Sequence, residues 1–251
     1  RLIMDIATRP GVSEINIRKA AQVGVSQFAR NLVAYWADRE RAPAAWTMPS
    51  RDKARQISKR ELLPLFKETP VLRDLLGSTT GTALIETITL LSGFNLDLLW
   101  SGSATSTASN SYCLVVNDEC DKFDPWAGDE PDPIARTKKR LRTFGDRGRQ
   151  VNISTPTVPD GPISKLVKNS SVILFYQVPC PHCGHYQRLV WPNLRWIKPD
   201  QLDADVLTGL ADADGEIPRE KLADALMRLG GAVWYECEQC HGRIEKRHRF
   251  A

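Results

Sequence analysis

Two carboxylates, Asp118 and Glu119, close the apolar run Ser111-Tyr112-Cys113-Leu114-Val115-Val116-Asn117. Where a nucleotide is hydrolysed, one acid in such a pair holds Mg²⁺ and the other orients or activates water. A short run rich in Val and Leu reads as a strand buried on both faces of a parallel sheet. Charge does not bury without a partner. The two acids are therefore expected at the strand's carboxyl end, where open α/β sheets place their ligands. A strand that merely stops at a polar turn is the plain alternative, and the pair alone does not decide.

Two further stretches carry the same kind of chemistry. Glu14 to Arg18 reads as a first strand, followed by Lys19-Ala20-Ala21-Gln22-Val23-Gly24-Val25-Ser26 and then by helical spacing from Phe28 to Trp36. Strand, small-residue loop and helix is the layout of a phosphate-binding loop. Gly24 and Ser26 fit the second glycine and the hydroxyl of the standard motif. Val25 stands at the usual lysine position and Lys19 at the first glycine. A long lysine stem can bend back across the loop to reach the β- and γ-phosphates, and Ser26 can supply the hydroxyl for Mg²⁺. A simple strand–turn–helix is the alternative. The third stretch, Gln150-Val151-Asn152-Ile153-Ser154-Thr155-Pro156, is a buried strand that ends in hydroxyls and is stopped by proline.

The order of these three strand ends is more informative than any one of them. A phosphate loop after the first strand, a double acid after a central strand and Ser-Thr-Pro after the next make the additional-strand, RecA-like P-loop NTPase plan, an α/β fold with a mainly parallel sheet. On that plan Lys19 and the amides near Gly24 hold phosphate, Ser26 and Asp118 hold Mg²⁺, and Glu119 polarises the attacking water. Ser154 and Thr155 sense the γ-phosphate and couple its loss to movement.

A separate chemistry follows. Cys180-Pro181-His182-Cys183-Gly184 and Cys237-Glu238-Gln239-Cys240-His241-Gly242 are two Cys-x-x-Cys knuckles. Their four thiolates suit one tetrahedral Zn²⁺, and a closed four-sulfur site is structural. Unligated buried thiols are the alternative. His182, His185 and His241 are not needed as ligands. Each knuckle follows a strand-like stretch, Ile173 to Gln177 and Val233 to Tyr235, as in a zinc ribbon.

The elements between these stretches must position them. Ala44 to Ser50 reads as a strand and Asp52 to Phe66 as a basic amphipathic helix. Thr87–Leu90 and Leu96–Trp100 read as a strand pair, and Gly102 to Asn110 as a polar loop. Phe123 to Pro131 is an acidic loop. Ile134 to Phe144 reads as a helix carrying Arg136, Lys138, Lys139, Arg140 and Arg142, with Arg147 and Arg149 beyond. This dense basic stretch tracks phosphates, offers an arginine to a neighbour's nucleotide, or is a solvated face. Asp200 to Leu229 reads as helices with the acidic loop Asp212 to Glu216. The tail Arg243, Lys246, Arg247, His248 and Arg249 touches DNA or leads onward.

The chain has 251 residues, 42% hydrophobic and 25% charged, with a formal net charge of +4. That suits one α/β domain plus a small module, expected at 1–170 and 171–251. A mildly basic balance permits a nucleic-acid partner. No apolar run reaches the ~20 residues of a membrane span, and no secretory leader is read at the start. Arg1 to Asp5 looks like the middle of an element, so a longer chain is expected.

On the loop 19–26, the run Leu114 to Glu119 and Ser154-Thr155-Pro156, with the Trp46 to Ser50 strand and the Cys-Pro-x-Cys-Gly knuckle, the chain resembles the large terminase subunit of tailed bacteriophages of the lambda GpA type. The resemblance implies an ATP-driven motor packaging double-stranded viral DNA into a procapsid in the host cytoplasm. It implies a homo-oligomeric ring at the portal protein, guided by a small terminase subunit, with no membrane. It implies that Lys19, Gln22, Gly24, Val25 and Ser26 bind nucleotide, with Gln22 where relatives often carry arginine. It also implies an adenine-contacting segment ahead of the first strand and a nuclease domain beyond residue 251, both expected outside the 251 residues. Two other readings stay open: a helicase or remodelling ATPase with the same core, and a zinc-ribbon DNA-binding adaptor on a degenerate P-loop scaffold.

Overall fold

The apolar runs pair side by side, mostly in parallel. The computed structural model describes residues 2–76, 83–103, 106–107, 110–124, 131–197, 209–212, 215–216, 218, 221–222 and 233–245. The expected polar loop at 104–105 and 108–109, the acidic loop at 125–130, most of the helical segment 200–229 and the tail 246–249 lie outside the described residues. The chain divides into two compact units, Arg1–Ile173 and Leu174–Ala251.

The first unit is built on a six-stranded sheet. Its strands are β1 (Glu14–Arg18), β2 (Ala44–Met48), β3 (Thr87–Thr89), β4 (Asn95–Trp100), β5 (Leu114–Asp118) and β6 (Arg149–Ser154), in spatial order β1-β6-β5-β2-β4-β3. Only β3, at one edge, runs antiparallel to its neighbour. β2, β5 and β6 are buried along their whole length; β2 and β5 are mainly apolar, whereas β6 buries Arg149, Gln150, Asn152 and Ser154 between Val151 and Ile153.

Alternation sorts the side chains to two faces. Ile15, Ile17, Trp46, Val116, Val151 and Ile153 join a core with Phe28, Leu32 and Trp36 from α2 (Val25–Tyr35) and the π turn that continues it. The intervening positions carry a smaller apolar cluster, with Ala45, Leu99 and Val115, and a row of asparagines. Asn16 and Asn117 both stand opposite Asn152 in the ladders. Asn117 Nδ2 donates to Asn152 Oδ1 (2.8 Å), and Asn152 Nδ2 donates to Asn16 Oδ1 (2.8 Å). The row is closed at its ends by Thr137 Oγ1 (3.1 Å from Asn117 Nδ2) and Ser170 Oγ (3.2 Å from Asn16 Nδ2). A strand slipped by one residue would break these bonds and turn its apolar set away from the core.

The helices differ from the sequence reading at two places. The helix after β2 runs as α3 (Arg51–Ile57), a π turn at Ser58–Leu62, then α4 (Leu63–Glu68). Pro64, near the start of α4, lacks an amide for the regular bond, and the π turn just before it absorbs the defect. Two short helices follow, α5 (Pro70–Arg73) and α6 (Ala83–Glu86). The basic helix expected over Ile134 to Phe144 is instead α7 (Pro133–Lys139), capped by Asp132, followed by a 3-10 stretch in which Gly145 is left-handed (φ 50°). Its cations consequently scatter. Arg136 is buried and donates to Ser101 O (3.0 Å). Arg149 is buried and donates to Ala7 O and Arg9 O (both 2.8 Å), satisfying carbonyls at the end of α1 (Leu2–Ala7). Lys138 pairs with Glu14 and Arg147 with Glu40. α8 (Pro162–Lys168) completes the unit.

The second unit carries a two-stranded hairpin, β7 (Val178–Pro179) with β8 (Tyr186–Gln187). It also carries a three-stranded antiparallel sheet in the order β11-β10-β9, formed by β9 (Leu194–Trp196), β10 (Val233–Glu236) and β11 (Arg243–Ile244). The strand read at Ile173 to Gln177 is irregular instead, and β7 begins at Val178. Its apolar side chains are exposed, and among the described residues no strand pairs with it, so its composition is not backed by a ladder.

Removing the amide at the centre of the asparagine row should be costly. Asn152→Ala removes the partner of half-buried Asn16 Oδ1 and one of the two acceptors of buried Asn117 Nδ2, and is expected to lower stability by about 1–3 kcal/mol in urea denaturation. A loss below about 1 kcal/mol would mean that the row does not lock the register.

Candidate active site and cysteine cluster

β6 lies between β1 and β5, so the three chemically marked strand ends are adjacent. Arg18 stands opposite Ser154, and Asp118 opposite Ile153. The ladder runs one residue beyond β1, where the Lys19 amide donates to Ser154 O (3.0 Å). Lys19 Nζ then lies 3.5 Å from Thr155 Oγ1, a long hydrogen bond.

The loop after Lys19 reverses through two left-handed residues, Gln22 (φ 57°) and Gly24 (φ 79°). A side chain at such an angle is strained, which makes glycine the fitting residue at 24 and Gln22 a site of stored strain. Gly24 is the N-cap of α2 and offers no side chain to it, so the first-turn amides have no side-chain cap. Val25 and Ser26 open the helix half-buried, while Gln22, Val23 and Gly24 are exposed. An uncapped helix start with a lysine beside it suits an anion of phosphate type.

Asp118 is 4% exposed. Burial first, then the charge of Glu119, pushes its carboxyl up to about 6, against the Glu119 amide and the Lys19 charge. The Glu119 amide donates to Asp118 Oδ1 (3.0 Å). A buried acid raised in this way gains from any cation brought beside it. Glu119 adopts a left-handed conformation (φ 57°) and heads a 3-10 turn at Cys120–Lys122. Its Oε2 is paired with Lys122 Nζ (3.1 Å). The structure thus brings Lys19, Asp118 and Thr155 to neighbouring strand tips, while the Glu119 carboxylate is held by a lysine of its own turn.

Ser154 is buried; its Oγ accepts from the Asp121 amide (3.0 Å) and donates to Thr155 O (3.2 Å). It therefore ties two loops together rather than facing open space.

Three features escaped the sequence reading. One is the asparagine row beneath the tips. The second is Asp121, which accepts from Ile163 N (2.7 Å) and Thr157 N (3.1 Å). The third is the ion pair between Arg30 of α2 and Glu61 of the π turn. Glu61 adds to the negative field at Asp118. For the first, each of the three strands carries a single asparagine, which by itself does not signal a row.

The second unit gathers Cys180, Cys183, Cys237 and Cys240, whose sulfurs all lie within 4.8 Å of one another. Cys180 Sγ is 3.7 Å from Cys240 Sγ, and Cys183 Sγ is 3.8 Å from Cys237 Sγ. The two knuckles share one local design. Gly184 N donates to Cys180 O (2.9 Å) and His241 N to Cys237 O (3.0 Å), with both Gly184 and His241 left-handed. Amides of His182 and Gln239 point at sulfur, each at 3.4 Å. Gly242 is required for space, because a Cβ there would meet the His182 ring at 2.7 Å. The histidine rings are engaged elsewhere. His182 Nε2 lies 2.7 Å from Arg243 O, and His185 Nε2 2.8 Å from Glu238 Oε1. Cys113 and Cys120 are buried in the first unit, and burial pushes both thiols up, Cys120 to about 12.

The thiols should therefore divide by exposure, with Cys183 and Cys240 exposed and Cys113 and Cys120 buried. In chelator-treated protein a thiol reagent is expected to modify the exposed Cys183 and Cys240 before unfolding, and Cys113 and Cys120 only after it, as located by mass spectrometry. Modification of Cys113 or Cys120 in the folded chain would contradict their burial.

The chain is 25% identical to a protein named terminase, large subunit, from Enterobacteria phage P21 over 206 residues, covering 78% of this chain and 32% of that one. It is 24% identical to the terminase, large subunit, of Escherichia phage lambda over 210 residues, 80% of this chain and 33% of that one. It spans about a third of the length of these curated relatives. The family model described as phage terminase large subunit gpA, ATPase domain, matches residues 1–251, and the chain belongs to that family.

Proposed function

We propose that the chain is the ATP-hydrolysing motor portion of a terminase large subunit, translocating double-stranded viral DNA into a procapsid. The observation that carries this reading is the placement of β6 between β1 and β5, in a register that sets Lys19, Asp118 and Thr155 side by side. That placement supports the additional-strand P-loop plan. The motor is assigned to 1–170 and a zinc-ribbon module, with its helical insertion, to 171–251. The working form is a homo-oligomeric ring at the portal protein with a small terminase subunit, in the host cytoplasm. Among the described residues no helix is long and apolar enough to cross a membrane.

Mg²⁺-ATP fits the residues present. The loop at Gln22 and the start of α2 at Gly24, Val25 and Ser26 would offer backbone amides, and Lys19 adds a positive charge for the triphosphate. Ser26 and Asp118 provide the hydroxyl and carboxylate oxygens that a hard cation takes, and Asp118 is buried and short of positive charge. The bound metal would neutralise charge developing on the phosphates.

Glu119 orients the attacking water and accepts its proton once it leaves Lys122. That release is cheap, because an exposed ion pair contributes roughly 0–1 kcal/mol. Thr155, at Lys19 Nζ, senses the terminal phosphate, and Ser154 passes its loss to the adjoining loop.

Zn²⁺ fits the cysteine cluster. A tetrahedron with metal–sulfur bonds of about 2.3 Å has edges of about 3.8 Å, and the two short sulfur–sulfur distances here are 3.7 and 3.8 Å. Cys180, Cys183, Cys237 and Cys240 would hold the ion in a closed structural site.

Two measurements test the reading. In the intact terminase Glu119→Gln should keep ATP binding and lose about 10²–10⁴-fold in kcat, the range for a positioned general base. Near-normal turnover in folded protein would end that role. Elemental analysis should find one zinc per chain, lost in Cys183→Ser, and a metal-free wild-type chain with the second unit folded would refute the ribbon.

A further inference from the structure

We infer that Asp121 is the positioning residue through which the loop after β6 sets the turn that carries Glu119, an inference that rests on the motor reading above. Asp121 occupies the centre of the short turn whose first neighbour is Glu119 and whose last residue, Lys122, holds the Glu119 carboxylate. Every strong contact of Asp121 goes to the other loop. Its amide donates to Ser154 Oγ (3.0 Å). Its Oδ2 accepts from Thr157 N (3.1 Å) and its Oδ1 from Ile163 N (2.7 Å), in the first turn of α8. A carboxylate accepting two backbone amides makes bonds roughly twice as strong as neutral ones.

These three bonds bracket Thr155, whose hydroxyl lies against Lys19 Nζ. Gly161 completes the fit, since a Cβ there would stand 2.5 Å from Asp121 Oδ2. The path is continuous: Lys19 to Thr155, the loop 154–163 to Asp121, and the turn 119–122 to Glu119 and Lys122. A shift of Thr155 on loss of phosphate cannot occur without pulling on Asp121, and Asp121 shares a single turn of backbone with Glu119. The competing role is a remote cap of α8 that only stabilises the fold.

Steady-state ATP hydrolysis by the intact terminase separates the two roles. Asp121→Asn keeps the size of the side chain but turns a donor toward one of the two amides. The expected result is a KM for ATP within about threefold of wild type and a kcat lower by at least about tenfold. On a Thr155→Val background the same substitution should cost less than about threefold more, because the two residues act along one path. Gly161→Ala displaces the carboxylate without removing its charge and should reproduce the kcat loss if Asp121→Asn does not fold.

A capping role alone lowers the melting temperature but leaves kcat per folded molecule unchanged, or gives losses that multiply with those of Thr155→Val. Either outcome overturns the inference. If Glu119→Gln abolishes turnover while the Asp121 and Gly161 variants keep kcat, the inference fails and the motor reading survives. If Glu119→Gln hydrolyses normally, the motor reading has failed first.

Discussion

The row of amides Asn117–Asn152–Asn16 is the constraint on which the rest of the unit depends. It crosses three parallel strands at one level, with successive contacts of 2.8 Å. Parallel strands have no tight turn to set their register, and a hydrophobic face alone tolerates slips of two residues. A buried amide does not, because each slip leaves donors and acceptors unmatched at about 1–3 kcal/mol apiece. With the row in place the tips of β1, β6 and β5 are level. Lys19, Thr155 and Asp118 then sit at adjacent tips without any one loop having to hold them there.

What those tips hold is an unfinished balance of charge. Asp118 is buried against Glu119, with Glu61 contributing more negative field and Lys19 the opposing one. Gln22 and Gly24 are bent into left-handed geometry and leave the start of α2 without a side-chain cap. Each is a local cost that a phosphate and its cation would offset. The Glu119–Lys122 pair is different in kind. It is solvent-exposed and weak, so it holds a carboxylate in reserve without committing it.

Much of this was legible from residue types. An apolar run ending in Asp-Glu and a short stretch ending in Ser-Thr-Pro marked two buried parallel strands, and the knuckle spacing marked the cysteine cluster. The asparagine row was not legible, because Asn ordinarily signals turns and only the pairing of distant strands turns Asn152 into a buried link. The basic stretch misled for a related reason. Arg136 and Arg149 read as surface cations but are buried, donating to the carbonyls of Ser101, Ala7 and Arg9. The irregular segment 173–177 had the composition of a strand but no partner to pair with. Asp121 has no sequence signature, since its value lies in loop amides 36 and 42 positions away.

One triphosphate gripped from three strand ends is an arrangement that a bound nucleotide makes visible. The most direct measurement is a structure of the chain with Mg²⁺ and a non-hydrolysable ATP analogue. The account predicts phosphate oxygens at the start of α2 within hydrogen-bond reach of Lys19 Nζ, and the cation between Ser26 Oγ and Asp118 at metal–oxygen distances near 2.1 Å or through one water. An analogue bound away from the tips of β1, β6 and β5, or one bound there with Asp118 turned from the cation, would contradict it.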